Sequence, residues 1–229
     1  MSVWRRLHKY LGLLVFAQLL VWVGSGVILS ILDAGEAGGR NTRIRPAADF
    51  PLVMRIESPI AISDLPIQFE SVHKIGLRQL LGHPVFQVET GNGTELFDAK
   101  SGQPFRIDEA RAKALALDTY GGGGAVIDVN YLASGSADFV SPDTALWQVS
   151  FDDERHTMAY ITAADGRLVL HRNDTTQWVD FLLMLHFMDY LEENSFNNIQ
   201  VIVLGFCMLW LAMSGLILLY NSLVKVGFR

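Results

Sequence analysis

The hydrophobic positions of this chain are concentrated in two uncharged stretches, one near each end. Leu11–Leu32 and Val201–Tyr220 contain no Asp, Glu, Lys or Arg, and each reaches the roughly 20 helical residues that cross a hydrocarbon core. The first stretch is also longer than the apolar core of a cleaved signal peptide, which has about 7–15 residues. We therefore predict transmembrane helices at 11–32 and 201–220, an N-terminal segment at 1–10 and a tail at 221–229.

Between these stretches the pattern changes to short alternating runs bounded by turn residues, which is typical of antiparallel strands. The predicted strands are Val85–Glu89, Glu95–Asp98, Ala125–Tyr131, Ala145–Phe151, Thr157–Thr162 and Arg167–His171. An Ala- and Leu-rich run, Glu109–Leu117, predicts a helix with Asp108 as its N-cap. Gly121–Gly124 is interpreted as a flexible connector after that helix. A helix followed by an antiparallel meander indicates an α+β fold.

Two further segments border this α+β region. Residues 33–67 are predicted to be a linker that leaves the membrane. Residues 176–193 contain an apolar run that is interrupted by Asp180, His186 and Asp189. Because this run is too short and too polar for an ordinary span, we predict an interfacial helix that leads to the second transmembrane helix.

The charged residues are unevenly distributed. The chain has 18 basic and 24 acidic residues, and every acidic residue lies within 33–193. Because short basic flanks stay in the cytoplasm, we expect both termini there and the middle of the chain in the periplasm, with the protein in a bacterial inner membrane. The net charge of −6 argues against nucleic acid as a partner. The single cysteine, Cys207, excludes a disulfide framework or a cysteine-rich metal site.

The order of these segments carries a family resemblance. The Ala-rich helix, the strand ALWQVSF and the strand–turn–strand MAYITAADGRLVLHR, with its turn at Asp165-Gly166, resemble a PepSY domain over residues 108–175. Residues 68–107 resemble a second, degenerate copy, in which we predict a helix over Ser71–Leu81.

The terminal segments resemble the membrane helices of PepSY-associated proteins. The N-terminal run WRRLHKYLGLLVFAQLLVWVGSGV has a Trp, a Leu-His pair and a late Gly, as that family does. Leu185-His186 and Ser214-Gly215-Leu216 match the family's later Leu-His and Ser/Thr-Gly-Leu patterns. The resemblance implies two transmembrane helices that flank a periplasmic PepSY-like domain.

The resemblance also sets the expected function. Larger relatives have four or more membrane helices, and some are haem-containing reductases of ferric siderophores, whereas this chain has two candidate spans. We therefore expect an accessory protein that presents its PepSY-like module to a partner in a redox, metal-uptake or envelope complex. The alternatives are a haem b electron-transfer protein and a periplasmic peptidase modulator. Because no Gly-x-Ser-x-Gly motif occurs, no catalytic residue is assigned and a non-enzymatic role is favoured.

Two histidines lie next to the membrane. Neutral imidazole is a common iron ligand, so His8 and His186 are the candidate axial ligands of a b-type haem. We expect them at opposite ends of the first span, so that only a homodimer or a partner could complete each site. The alternative interpretation makes His8 part of the basic anchor and His186 the polar edge of an interfacial helix.

The remaining polar residues indicate packing rather than chemistry. Gln18 and Ser214 are expected at similar depths, where a hydrogen bond between them would satisfy both in lipid. The small residues of the first span suit association with membrane lipid and with other membrane subunits. No histidine spacing predicts a metal site, and Asp152–Glu154 is interpreted as a solvated loop.

Overall fold

The structure is a computed structural model that describes residues 2–33, 35, 38–44, 60–137, 141–190 and 198–227. The chain divides into two compact units. One unit comprises Met1–Asp33 and Gln177–Arg229 and is mostly helical; the other, Ala34–Thr176, contains the sheets. We call the second unit the module.

Two helices are long and apolar enough to span a membrane. They are α1, Ser2–Ile31, and α4, Ile199–Gly227. The core helix of a soluble protein would bury its large side chains, but Leu14 is 68% and Phe206 69% exposed. The expected pair of long apolar helices flanking an α+β domain is therefore confirmed, and both are compatible with insertion into a membrane.

The two long helices share a seam of less exposed residues that recur every three, four or seven positions. On α1 the seam holds His8, Leu11, Val15, Gln18, Ser25 and Leu29. On α4 it holds Leu204, Cys207, Leu211, Ser214 and Leu218. This spacing is that of an antiparallel coiled-coil pair, and His8 near the start of α1 indeed contacts Ser214 in the second half of α4.

A shorter helix, α3 at Asp174–Phe187, stands where the interfacial helix is predicted. Its first turn is closed by a reciprocal cap, because Thr176 N–H donates to Asn173 Oδ1 and Asn173 N–H donates to Thr176 Oγ1. The helix ends earlier than the sequence suggests, since Met188 has a left-handed φ of 53°.

Among the residues that the structure describes, the module contains two antiparallel meanders with a helix between them in the chain. The first sheet consists of β1 Val72–Leu80, β2 His83–Thr90 and β3 Gly93–Asp98; the second consists of β4 Ala125–Leu132, β5 Leu146–Asp152, β6 Met158–Thr162 and β7 Leu168–Arg172. Helix α2, Glu109–Thr119, lies between the sheets in the chain. Short 3₁₀ turns occur at Arg40–Thr42, Ile62–Asp64 and Phe69–Ser71. All six strands predicted from the sequence are present.

The main core of the module joins both sheets to α2. Leu80 and Val85 of the first sheet pack in one cluster with Leu115 of α2 and Phe151 of the second sheet. The predicted N-cap is confirmed, because Asp108 Oδ1 accepts a hydrogen bond from Arg111 N–H at 2.9 Å, a contact that contributes about 1 kcal/mol in comparable helices.

The helix predicted over Ser71–Leu81 is wrong, because these residues form β1. The pairing of β1 with β2 runs from Val72 to Leu80, with an irregularity near His73. The structure describes every residue of 68–107, and this segment contains three strands but no α-helix. The helix expected for a second PepSY-like copy is thus absent.

The glycine run Gly121–Gly124 connects α2 to β4, as predicted, and makes close contacts at two of its positions. A Cβ at Gly122 would collide with the Tyr120 ring, and one at Gly124 would collide with the backbone of Asp152. Gly121 N–H also donates to Thr42 O at 2.8 Å. Glycine is required here because the chain must pass close to these groups.

Candidate functional site

The two histidines proposed as haem ligands are placed far apart. His8 lies in the second turn of α1, whereas His186, near the end of α3, contacts Ser25 close to the other end of α1. At a rise of 1.5 Å per residue, the roughly 17 residues from His8 to Ser25 span about 25 Å. One haem therefore cannot bind both rings of a single chain, as the sequence argument expects.

His8 is held against α4 by one hydrogen bond and by close packing. Its Nδ1 lies 2.7 Å from Ser214 Oγ. The ring centroid is 6.3 Å from that of Trp210, which itself stacks on Trp4 at 5.8 Å. A Cβ added to Gly215 would lie 3.4 Å from His8 Cε1, so the absence of a side chain there leaves room for the ring.

His186 is held against α1 in the same manner. Its Nδ1 lies 3.2 Å from Trp22 O and 3.3 Å from Ser25 Oγ. The Trp22 ring centroid is 5.8 Å away. A Cβ added to Gly26 would lie 2.9 Å from His186 Cε1, so only glycine admits the ring in this position.

Each ring makes its hydrogen bonds through Nδ1. A carbonyl oxygen only accepts, so His186 Nδ1–H donates to Trp22 O. Ser214 Oγ lies within hydrogen-bond distance of both His8 Nδ1 and Leu211 O, so it can accept from the ring or donate to it. An imidazole whose Nδ1–H is held by an outer partner can bind a metal through Nε2.

Sequence reasoning did not connect the two Ser-Gly pairs with the histidine rings. It noted Ser214-Gly215 only as part of a family pattern and did not single out Ser25-Gly26. Each pair follows a tryptophan closely, Trp22 by three residues and Trp210 by four, and this is the signal that could have drawn attention to both. Ser30, another small residue of the first span, donates to Val27 O of its own helix.

The hydrogen bond predicted between Gln18 and Ser214 does not form. Gln18 exchanges hydrogen bonds with Tyr190 Oη at 2.9 and 3.2 Å, and Ser214 is engaged by His8. The depth argument fails because α1 begins at Ser2, so His8 and not Gln18 lies level with Ser214. The contact of Tyr190 with α1 had no signal in the sequence.

The histidines of the module have separate environments. His73 and His83 are exposed. His156 Nδ1 lies 2.8 Å from Asp174 Oδ2, and this hydrogen bond raises the pKa of His156. His171 is buried, and burial together with the charge of Arg43 lowers its pKa to about 4. Among the residues that the structure describes, no group of three or more His, Cys, Asp or Glu could hold a metal ion.

In the acidic turn after β5, Asp152 and Glu154 are exposed, as in the solvated loop we predicted, but Asp153 makes several hydrogen bonds. Asp153 Oδ2 accepts from Tyr120 Oη at 2.7 Å, and Asp153 Oδ1 accepts from Thr157 N–H at 2.8 Å and Arg155 N–H at 3.2 Å. Partial burial alone would raise the pKa of Asp153, but these hydrogen bonds outweigh it and lower the pKa. The carboxylate therefore acts as a structural acceptor for the turn.

Comparisons of the chain with protein-family models, with curated proteins and with solved structures find no match, so the PepSY resemblance rests on the sequence motifs alone.

Proposed function

We propose that this chain is an accessory protein of a bacterial inner membrane that presents its α+β module, in the periplasm, to a partner protein. The order of α2 and β4–β7, with a turn of Asp165 and Gly166 between the last two strands, supports the PepSY-like character of the module. The basic start of α1, with Arg5, Arg6 and Lys9, supports this orientation under the positive-inside rule.

Presentation to a partner requires an open surface, and most sheet edges of the module are closed. The outer edge of β3 is covered by the chain that follows it, because Phe105 N–H donates to Leu96 O at 2.7 Å and Asp98 N–H donates to Gln103 O at 2.9 Å. At β7, a Cβ on Gly39 would collide with His171 O, so the segment around Gly39 closes that edge.

The edge of β4 is blocked in a different way. Its pairing with β5 is irregular between Val126 and Asp128. Val129 N–H donates to Asp128 Oδ1 at 3.0 Å, and Asn130 Nδ2 donates to Asp128 Oδ2 at 2.6 Å. Bulges and charged side chains of this kind are how edge strands avoid pairing with other chains.

The edge of β1 is the observation that carries the proposal. From Ile75 to Leu80 the strand pairs regularly with β2 on one side, and within the described residues no strand pairs with its other side. Leu77 lies in this stretch and is 44% exposed. A partner's extended segment could add here as a fourth strand, with backbone hydrogen bonds giving affinity and Leu77 giving an apolar contact.

Site-specific photo-crosslinking tests this edge. A photoreactive residue in place of Leu77, in the full chain in its native membrane, is expected to give one discrete adduct. Mass spectrometry should map that adduct to a single extended segment of one partner. The matched control is Leu117, which is 46% exposed on α2 and should give no adduct. Equal labelling from both positions, or adducts spread over many proteins, would contradict the proposal.

The Nδ1 contacts of His8 and His186 favour a second candidate function, electron transfer through haem b in a homodimer. The two rings lie too far apart for one haem, so each ring would need a ligand from a second copy. Haem bound at these positions would supply one-electron chemistry. The chain's own contribution is to orient each ring through Ser214 or through Trp22 O and Ser25.

Visible absorption separates the two functions. Full-length protein incubated with haemin is expected, under the second function, to show a Soret band and dithionite-sensitive α and β bands. His8→Ala and His186→Ala should each weaken these bands, because each removes one ligand. The control His83→Ala, at an exposed module histidine, should leave them intact. Folded protein that stays colourless after haemin treatment would exclude the haem function and leave the accessory function standing.

A further inference from the structure

A short segment of the module, Gly38–Ile44, is fastened to the end of α2. Ile44 N–H donates to Thr119 O at 2.8 Å, and Gly121 N–H donates to Thr42 O at 2.8 Å. Arg43 and Tyr120 form an antiparallel bridge between these two hydrogen bonds. We call Gly38–Ile44 the clasp.

His171 of β7 joins the clasp to the helix through both ring nitrogens. Its Nδ1 lies 3.2 Å from Thr42 Oγ1, and its Nε2 lies 3.4 Å from Thr119 Oγ1. Thr42 Oγ1 also lies within hydrogen-bond distance of Gly39 O, and Thr119 Oγ1 within that of Ala116 O, so either hydroxyl can accept a proton from the ring. The ring is 2% exposed. Burial and the charge of Arg43 lower the pKa of His171 and outweigh the contact with Thr42, which raises it.

The surroundings of His171 oppose a positive charge. Two charged or titratable groups lie near the His171 ring. They are Arg43 from the clasp and Tyr120 after α2, whose ring centroid is 6.3 Å from that of His171. In the part of the chain that the structure describes, no carboxylate contacts this ring. An imidazolium here would be buried without a counter-ion and beside another cation, which is costly.

We propose that the clasp is an acid-released latch, in which protonation of His171 detaches Gly38–Ile44 from α2 and β7 while the sheets stay folded. Among the described residues, two backbone hydrogen bonds tie the clasp to the end of α2, and Arg40, Asn41 and Ile44 are exposed although Gly39 and Thr42 are buried. We therefore expect the clasp to detach before the strands do. β7 itself is held by its pairing with β6. This inference is independent of the partner or haem functions above.

The direction of the pH dependence follows from the shift of the His171 pKa from 6.5 to about 4. The closed clasp binds fewer protons than the open one between these values, so the closed form is fully favoured above about pH 6.5 and loses its advantage as the pH falls toward about 4. A shift of this size raises the ratio of open to closed clasp by at most about 300-fold.

Spin-label mobility in the full chain, in detergent or nanodiscs, tests the latch. The label is placed at Asn41→Cys in a Cys207→Ala background, and a second sample carries it at Lys113→Cys on α2. Between about pH 7.5 and about pH 4.5, the label at 41 is expected to become mobile with a midpoint between the two pKa values. The label at 113 should remain unchanged, because the sheets and α2 stay folded.

Three variants make the test decisive. His171→Gln keeps hydrogen-bonding groups but cannot titrate, so it should abolish the pH response at position 41. Arg43→Gln, at an exposed site, should weaken the response by removing the repelling cation, and it serves if His171→Gln does not fold. His156→Gln, an exposed titrating control, should leave the response intact. Either of two results would overturn the proposal. One is a label at position 41 that stays immobile at low pH. The other is a pH response in both His171→Gln and Arg43→Gln that equals the response of the parent protein.

Discussion

Replacing Gly26 with leucine is expected to destabilise the packing of α3 on α1 by about 1–3 kcal/mol, the usual range for forcing extra atoms into a packed contact. Even a single Cβ at this position would lie 2.9 Å from His186 Cε1, and the rest of the leucine side chain would displace the ring. The displaced ring would lose its hydrogen bonds to Trp22 O and Ser25. The lower stability should appear as an earlier loss of folded protein in a detergent denaturation series.

Gly24 offers a matched control two residues earlier in the same helix. A Cβ there has no neighbour within 4 Å, so Gly24→Leu adds a side chain into open space and should change stability by less than about 0.5 kcal/mol. If Gly24→Leu and Gly26→Leu behave alike, the His186 contact does not stabilise α1.

Replacing Phe151 with alanine should cost the module about 3–5 kcal/mol, as in other fully buried phenylalanines. The Phe151 side chain is 1% exposed and stacks on Tyr120 with ring centroids 3.8 Å apart. Its loss leaves a cavity and removes the support of Tyr120, which donates to Asp153. Urea denaturation of the full chain, followed by the fluorescence of Trp147, should show the lower midpoint.

An exposed apolar residue of the same sheet provides the comparison. Ile127 on β4 is 65% exposed, so Ile127→Ala should change the free energy of unfolding by less than about 0.5 kcal/mol. A midpoint for Phe151→Ala that matches that of Ile127→Ala would show that the core described here does not hold the module together.

The membrane-length helices, α2 and the six strands were predictable because each has a strong local signal. The long apolar runs and the Ala-rich run after Asp108 need no tertiary information. β1 was mispredicted because its buried and exposed residues do not alternate. Leu80 joins the main core and Ile75 packs on a second cluster with Leu65 and Val88, whereas His73 and Lys74 are exposed in succession. A strand without this alternation lacks the pattern that identifies strands.

The candidate site was predictable only in part. His8 and His186 stood out because histidine is rare beside apolar runs, and their separation followed from helix geometry. Their partners did not, because Ser214 lies more than 200 residues from His8 in the chain and only the antiparallel pairing of α1 and α4 brings them together. The packed glycine turn was likewise hidden, since its need for glycine comes from Tyr120 and Asp152 in three dimensions.

The polar contacts of α1 also limit how the helix pair can move. His8 is bonded to α4 near one end of α1, and His186, Ser25 and Tyr190 fix the other half. Sliding α1 along its axis by one turn, about 5.4 Å, would break contacts at both of its ends at once. These contacts therefore oppose axial movement of α1.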